Sequence, residues 1–143
     1  MILFVDDEPR IMDSYLQYLK AKLAPLKYEV VFISDIDKAV EFFDQNHDKI
    51  DLAILDIMMP PGKFSTEQTN GGLKTGLAFY EKIRLQSPNM PIIVFTNFFD
   101  HEVDARFKQD SNCRFLQKVN YLLDDFVVEV KKALSLPTTE DTK

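Results

Sequence analysis

The sequence predicts a single α/β domain in which a five-stranded parallel sheet is covered by helices. Short apolar runs alternate with helical patterns from end to end, which is typical of a parallel sheet that is buried on both faces. The chain has 143 residues and 45% of them are hydrophobic. That is enough to close one core without disulfide or metal support.

Five runs are predicted as strands. Each is short, and most are continuously apolar, as expected for strands with helices on both sides. The predicted strands are Ile2–Val5, Tyr28–Ile33, Leu52–Leu55, Ile92–Phe95 and Phe115–Gln117.

The first two helical patterns have recognisable starts. Pro9 fits a first helical turn, and an apolar stripe continues from there until Pro25 forbids further helix. The second helix has Ser34 or Asp35 as its N-cap. The stripe residues are Ile11, Tyr15, Leu19 and Leu23 in the first helix, and Ile36, Ala39, Val40 and Phe43 in the second.

Three further helices are predicted, of which the third stops at Ser87-Pro88 and the fifth at Pro137. Their stripes are Leu73, Leu77, Tyr80 and Ile83; Val103 and Phe107; and Leu123, Val127, Val130 and Leu134. We expect a domain over residues 1–136 and a polar tail or linker stub over 137–143.

Composition excludes several classes of function. The formal net charge of −6 opposes binding to nucleic acid phosphates. Cys113 is the one cysteine, so no internal disulfide can form and a reduced, cytoplasmic setting is expected. The apolar start is cut short at Asp6, far below the length of a signal-peptide core or a membrane span.

Polar residues follow four of the predicted strands. Asp6 and Asp7 follow the first, Asp56 the third, Thr96 the fourth and Lys118 the fifth. The carboxyl ends of parallel strands meet at one edge of the sheet, where ligands bind. Three carboxylates brought together repel one another unless a cation offsets their charge, and such an oxygen-rich site suits Mg²⁺.

The same set of side chains suits phosphoryl transfer. Lys118 supplies a compact positive charge and Thr96 a neutral hydroxyl donor, and both would stabilise the negative charge that spreads over phosphoryl oxygens. Asp56 is then the natural nucleophile. Taken singly, each of these residues is more ordinary, since paired aspartates often cap helices and a lone lysine is often solvated.

Asp6-Asp7, the run Ile54-Leu55-Asp56-Ile57-Met58-Met59-Pro60, Thr96 and Lys118 together resemble the receiver domain of two-component response regulators. The resemblance spans nearly the whole chain. It implies a flavodoxin-like three-layer (βα)5 sandwich with the strand order 2-1-3-4-5, two helices on one face and three on the other.

The resemblance also implies roles for the residues at the sheet edge. Asp56 matches the acceptor of a phosphoryl group from a phosphohistidine donor. Asp7, helped by Asp6 and Asp56, matches the Mg²⁺ site, to which the backbone carbonyl of Met58 would contribute.

Lys118 and Thr96 match the groups that hold the phosphoryl oxygens. Phe115, three residues before Lys118, matches a switch aromatic whose ring turns inward when the threonine moves toward the phosphate. This coupling would carry one covalent event to a surface near the fourth helix, the fifth strand and the fifth helix.

The implied function is a signalling switch that catalyses its own phosphorylation and dephosphorylation and turns over no external substrate. Its donor would be a histidine kinase or a phosphotransfer protein. Its target would be a downstream protein or the output domain of a longer chain, and neither nucleic acid nor a membrane is an expected direct partner. The alternative is a receiver-like adaptor that binds its partners independently of phosphorylation.

Three features depart from the family pattern. The stretch 61–72 is an expanded loop with no predicted structure of its own. One hypothesis is that it modulates access to Asp56 or contributes to a partner surface. The other is that it is a tolerated flexible insertion. Asn97 and Phe98 are larger than the residues usual beside the site. Val119 replaces the proline that commonly follows the lysine, which leaves the shape of that turn open.

Overall fold

The computed structural model describes residues 1–138 and contains one sheet of five parallel strands. The strands are β1 (Ile2–Val5), β2 (Val30–Ile33), β3 (Leu52–Leu55), β4 (Ile92–Thr96) and β5 (Cys113–Gln117). Their order in the sheet is β2-β1-β3-β4-β5. This is the order that the resemblance implied, so the predicted fold class is confirmed.

Six α-helices lie in the described part of the chain. They are α1 (Pro9–Leu23), α2 (Ile36–Asn46), α3 (Thr66–Thr69), α4 (Thr75–Gln86), α5 (His101–Lys108) and α6 (Leu123–Ala133). Pro9 occupies the first turn of α1. Asp35 is the N-cap of α2 and accepts a hydrogen bond from the Lys38 N–H, which decides between the two predicted caps.

The helices form a layer on each face of the sheet because successive strand residues point to opposite sides. On one side, Ile2 and Phe4 of β1 belong to a core shared with α1 and α6. On the other side, Leu3 and Val5 belong to a core shared with α2, α4 and α5. Two helices therefore cover one face and three long helices the other, as the resemblance implied.

Several predicted boundaries are wrong by a few residues. β2 begins at Val30 rather than Tyr28, and β5 begins at Cys113 rather than Phe115. The helix predicted from Leu73 begins at Thr75 instead, and Leu73 is exposed. The reason is local, because residues 70–72 all have positive φ and form a turn before the helix. Leu134 caps the end of α6 instead of continuing it.

The expanded loop has structure that the sequence did not suggest. It contains the single turn α3, whose N-cap Ser65 accepts a hydrogen bond from the Gln68 N–H. The start of the loop is attached to α2, because the Asp37 carboxylate accepts from the Lys63 N–H at 2.8 Å. The loop is therefore packed against the domain.

The structure describes only the start of the expected tail. Of the expected tail, Thr138 is described and is almost fully buried, while residues 139–143 lie outside the described residues. No helix found in residues 1–138 is long and apolar enough to cross a bilayer.

Candidate functional site

The sheet register brings the predicted polar residues to one edge. Val5 pairs with Leu55, so the next residues, Asp6 and Asp56, lie side by side at the ends of β1 and β3. On the other side of β3, Thr96 ends β4 opposite Gln117, and Lys118 follows directly. Four strands therefore deliver a polar side chain to the same crevice, as predicted from their ends.

Lys118 joins the two central carboxylates. Its Nζ lies 2.7 Å from Asp6 Oδ2 and 3.3 Å from Asp56 Oδ2. Asp6 is fully buried, Asp56 is 5% exposed, and the lysine side chain is 11% exposed. Burial alone would lower the pKa of Lys118, but its close contact with Asp6 and the charges of both carboxylates raise it above its ordinary value.

The Asp6 carboxylate is buried, and its neighbours compensate its negative charge only in part. Burial, reinforced by the charge of Asp56, raises its pKa to about 6, although Lys118 and the Glu8 N–H act in the opposite direction. Asp6 Oδ1 accepts from the Glu8 N–H at 2.9 Å. Asp6 Oδ2 lies within ion-pair distance of Lys118 but accepts no hydrogen bond of regular geometry from the described residues.

Two further acidic side chains complete a cluster at this edge. Asp6, Asp7, Glu8 and Asp56 each present a carboxylate oxygen, and these oxygens lie within 4.8 Å of one another. Burial and then the charge of Asp56 raise the pKa of Asp7. The donor set is all oxygen, and one buried oxygen lacks a regular hydrogen bond, so the site fits a hard divalent cation such as Mg²⁺.

Asp56 is held by the backbone around it. Its Oδ1 accepts from the Ile57 N–H at 2.8 Å, and its own N–H donates to the carbonyl of Val5 at 3.0 Å. α4 begins very close by, since a Cβ at Gly76 would lie 1.9 Å from the Asp56 carbonyl oxygen. Only glycine allows this approach, so Gly76 sets the distance between α4 and the end of β3.

The segment after Asp56 turns outward at Met58. Ile57 and Met59 are buried, whereas the Met58 side chain is 51% exposed. The Met59 carbonyl accepts a hydrogen bond from the buried Thr75 hydroxyl at 2.6 Å. This contact ties the segment to the start of α4. The expected contribution of the Met58 carbonyl to a metal stays a prediction.

Thr96 is 1% exposed at the end of β4, and its hydroxyl accepts a hydrogen bond from the Phe98 N–H at 3.1 Å. Asn97 lies between Thr96 and Phe98 in the chain, and its Oδ1 accepts a hydrogen bond from the Val119 N–H, just after β5, at 3.1 Å. Two of the residues that depart from the family pattern, Asn97 and Val119, are therefore bonded to each other.

Phe115 is partly buried beside α5. Its ring stacks on Phe107 with centroids 5.7 Å apart and meets Phe99 edge-on at 6.4 Å. It also lines a surface groove of about 820 Å³ formed by α5, β5 and α6. The predicted switch residue thus lies between the core and a surface.

Three site features were missed from the sequence. Glu8 belongs to the acidic cluster, which its position next to Asp7 could have indicated. Gly76 was visible only as one of several glycines near the loop, without its close contact to β3. The Asn97–Val119 hydrogen bond joins residues 22 positions apart and has no sequence signal.

Comparison with known proteins agrees with this geometry. The sequence profile of the response regulator receiver domain matches residues 2–122. No curated protein sequence matches the chain.

Three solved structures show the same fold. A CheY-like receiver domain protein from Methanospirillum hungatei is 22% identical, with a TM-score of 0.70 and coverage of 94% of this chain and 92% of that one. The receiver domain of NtrX from Brucella abortus is 23% identical, with a TM-score of 0.70 and coverage of 96% and 100%. A receiver domain protein from Clostridium thermocellum is 25% identical, with a TM-score of 0.66 and coverage of 94% and 93%.

The matched profile covers most of the chain, and the strand order, the acidic cluster and the ion-paired lysine agree with it. This protein therefore belongs to the response regulator receiver domain family.

Proposed function

We propose that the chain is a phosphorylation-controlled switch in which Asp56 accepts a phosphoryl group from a phosphohistidine. The observation that supports it best is the position of Asp56, almost buried within an acidic cluster and 3.3 Å from the Lys118 ammonium. A histidine kinase or a phosphotransfer protein would be the donor.

In the proposed reaction, an Asp56 carboxylate oxygen forms the new bond to phosphorus as the bond between phosphorus and the histidine nitrogen breaks. The departing imidazole nitrogen takes up a proton from solvent water. Asp56 Oδ2 faces Lys118, so a phosphoryl group on this carboxylate lies beside the ammonium. Lys118 and the Thr96 hydroxyl then hold the phosphoryl oxygens and offset their charge.

We further propose that Asp6, Asp7, Asp56 and the Met58 carbonyl hold Mg²⁺. When bound, the cation neutralises charge on the phosphoryl oxygens and on the carboxylates. The crowding of the cluster and the unsatisfied Asp6 Oδ2 support this assignment. Glu8 adds charge at the rim of the same site.

The relay to a partner would use Thr96 and Phe115. The Thr96 hydroxyl oxygen accepts from the Phe98 N–H, and its O–H donates to no acceptor among the described residues, so it can donate to a phosphoryl oxygen. Phe115 packs on Phe107 and lines the groove between α5 and α6, so a shift in its ring changes that surface. The partner is a downstream protein or an output domain.

The proposed chemistry is confined to the protein itself, with no turnover of an external substrate. A cytoplasmic location is proposed with it, because the unpaired Cys113 suits a reduced compartment.

Incubation with acetyl phosphate and Mg²⁺, followed by intact-mass measurement, tests the proposal. We expect one phosphoryl adduct on the wild type and none on Asp56→Asn. Asp48→Asn is the matched control, since Asp48 is exposed and makes no side-chain hydrogen bond or ion pair within the described residues. It should be phosphorylated like the wild type.

An equal adduct on Asp56→Asn would contradict the assignment of Asp56. No adduct on the wild type, whether from acetyl phosphate or from phosphoramidate, would contradict the switch and favour the phosphorylation-independent adaptor.

A further inference from the structure

The turn that carries Lys118 is fixed at its start by a side chain from the neighbouring strand. Asn97 directly follows Thr96 at the end of β4, and Val119 directly follows Lys118. The Asn97 Oδ1 accepts a hydrogen bond from the Val119 N–H at 3.1 Å. The two strand ends that carry proposed phosphoryl-binding side chains are therefore joined by one bond between the residues next to them.

The far end of the same turn has a separate attachment. The Tyr121 N–H donates to the Lys118 carbonyl at 3.2 Å, and the Tyr15 hydroxyl of α1 donates to the Tyr121 carbonyl at 2.6 Å. On the other side of Lys118, Gln117 pairs with Thr96 in the sheet. The Asn97 bond adds a side-chain restraint on the backbone that directly follows Lys118.

The hydrogen bond depends on both residue types. Proline at position 119 would have no N–H to donate, and its ring would restrict the backbone by itself. The Val119 side chain is 78% exposed, so its own packing does little to hold the turn. A residue at position 97 without a side-chain acceptor would leave the Val119 N–H to water.

Restraint of the backbone next to Lys118 matters because the Lys118 ammonium lies in the candidate site. Its Nζ lies between two carboxylates, 2.7 Å from Asp6 and 3.3 Å from Asp56. A lysine side chain is flexible, so its two ion pairs hold the head group only within the range of positions that the backbone carrying it allows. A looser turn would spread the ammonium over more positions.

We propose that Asn97 is a positioning residue, which holds the Lys118 ammonium at the phosphoacceptor by accepting a hydrogen bond from the Val119 N–H. The inference rests on the proposed function, because Lys118 is expected to act on the phosphoryl group. It adds a residue that touches neither the phosphoryl group nor a metal.

The test is a double-mutant cycle on the rate of phosphorylation by acetyl phosphate at saturating Mg²⁺. Asn97→Ala should lower the rate constant by about threefold to tenfold, the range for loss of one exposed hydrogen bond. In a Val119→Pro background, the donor is already absent, so adding Asn97→Ala should change the rate less than twofold. Asn120→Ala, on the same turn and without a side-chain hydrogen bond among the described residues, is the matched control.

Two measurements that need no phosphorylation accompany the cycle. In Asn97→Ala, hydrogen exchange of the Val119 amide should become several-fold faster. Trace labelling of lysines with acetic anhydride, read by peptide mass, should show faster reaction of Lys118 with other lysines unchanged. Neither should change in Asn120→Ala.

These measurements separate the two proposals. If the wild type accepts no phosphoryl group, the proposed function fails, while faster amide exchange and faster Lys118 labelling in Asn97→Ala still support the positioning role. Unchanged Lys118 labelling in Asn97→Ala overturns that role. So does an equal loss of rate on adding Asn97→Ala to the wild type and to Val119→Pro. If Val119→Pro does not fold, the exchange and labelling of Asn97→Ala decide.

Discussion

Two groups of charged side chains in this molecule differ in how completely their charges are satisfied. The carboxylate cluster, formed by Asp6, Asp56 and Lys118, lies at the carboxyl edge of the sheet. The arginine cluster, formed by Tyr80, Arg84, Arg106 and Asp110, joins α4 and α5 to the segment before β5. Both include side chains that are mostly shielded from water.

The arginine cluster is complete. Asp110 accepts from the Tyr80 hydroxyl and from Arg84 Nε, the latter at 2.6 Å, and Arg84 also donates to the carbonyls of Ser87, Met90 and Asn112. Burial acts to raise the pKa of Asp110, but the bonds from Tyr80 and Arg84 outweigh it and the pKa is lowered.

The carboxylate cluster shows the opposite balance. Burial and the charge of Asp56 raise the pKa of Asp6 to about 6, and Asp6 Oδ2 has no regular hydrogen bond within the described residues. Complete networks stabilise a fold, whereas incomplete ones are typical of sites that wait for a ligand. The difference agrees with a structural role for the arginine cluster and with the proposed binding role of the carboxylate cluster.

Removal of a charge from the arginine cluster should have the largest effect. Arg84→Ala removes the cationic partner of Asp110, which keeps the Tyr80 hydroxyl as a donor, and takes one hydrogen bond from each of three carbonyls. The side chains of Arg84 and Asp110 are each 11% exposed. We expect the free energy of unfolding, measured with urea, to fall by about 3 kcal/mol. Lys108→Ala, which removes an exposed i,i+4 ion pair with Asp104, should change it by less than about 0.5 kcal/mol. An equal loss of unfolding free energy in Arg84→Ala and Lys108→Ala would contradict a structural role for the arginine cluster.

Removal of a charge from the carboxylate cluster should have the opposite sign. Because the folded pKa of Asp6 is raised from 3.8 to about 6, its ionisation costs stability as the pH rises through that range. In EDTA at pH 7.5, Asp6→Asn should raise the free energy of unfolding by about 2 kcal/mol. Asn keeps an oxygen for the Glu8 N–H.

The pH dependence provides a control for this gain. The gain should shrink below pH 6 and be absent near pH 4, where the wild-type carboxyl is protonated in the folded state. Asp48→Asn should show no gain at any pH. A loss of stability in Asp6→Asn at pH 7.5 would show that the carboxylate contributes to the fold as Asp110 does.

A divalent cation should restore part of the stability that the ionised Asp6 carboxylate costs the folded protein. At a Mg²⁺ concentration ten times its dissociation constant, the wild type should gain about 1.4 kcal/mol in the free energy of unfolding. Asp6→Asn should gain much less, because one oxygen donor has lost its charge, while Asp48→Asn should match the wild type. Equal gains in all three proteins would place the cation elsewhere.

The sequence could predict the fold and most of the candidate site because both follow from local patterns. Short, mostly apolar runs identified every strand, with displaced starts for β2 and β5, and the polar residue directly after a strand identified Asp6, Asp56 and Lys118. Parallel strands place these ends together whatever lies between them. That is why residues separated by 62 positions, such as Asp56 and Lys118, could be assigned to one crevice.

Features that depend on a specific distant partner could not be predicted. The hydrogen bonds of Asp110 to Tyr80 and Arg84 span 30 and 26 positions. α3 is a single turn with no apolar period to detect, and its formation depends on the Ser65 cap. α4 starts late because Asn70, Gly71 and Gly72 adopt positive φ angles and form a turn before it. A hydrophobic stripe carries no information about such a turn.

The most direct test of the central claim locates the phosphoryl group within the chain. After reaction with acetyl phosphate and Mg²⁺, reduction with borohydride converts a phosphorylated aspartate to homoserine, and peptide mass spectrometry identifies the position. We expect homoserine at position 56 in the wild type and in Asp48→Asn. Homoserine at position 6, 7 or any other aspartate instead of 56, or at none, would contradict the assignment of Asp56 as the phosphoacceptor.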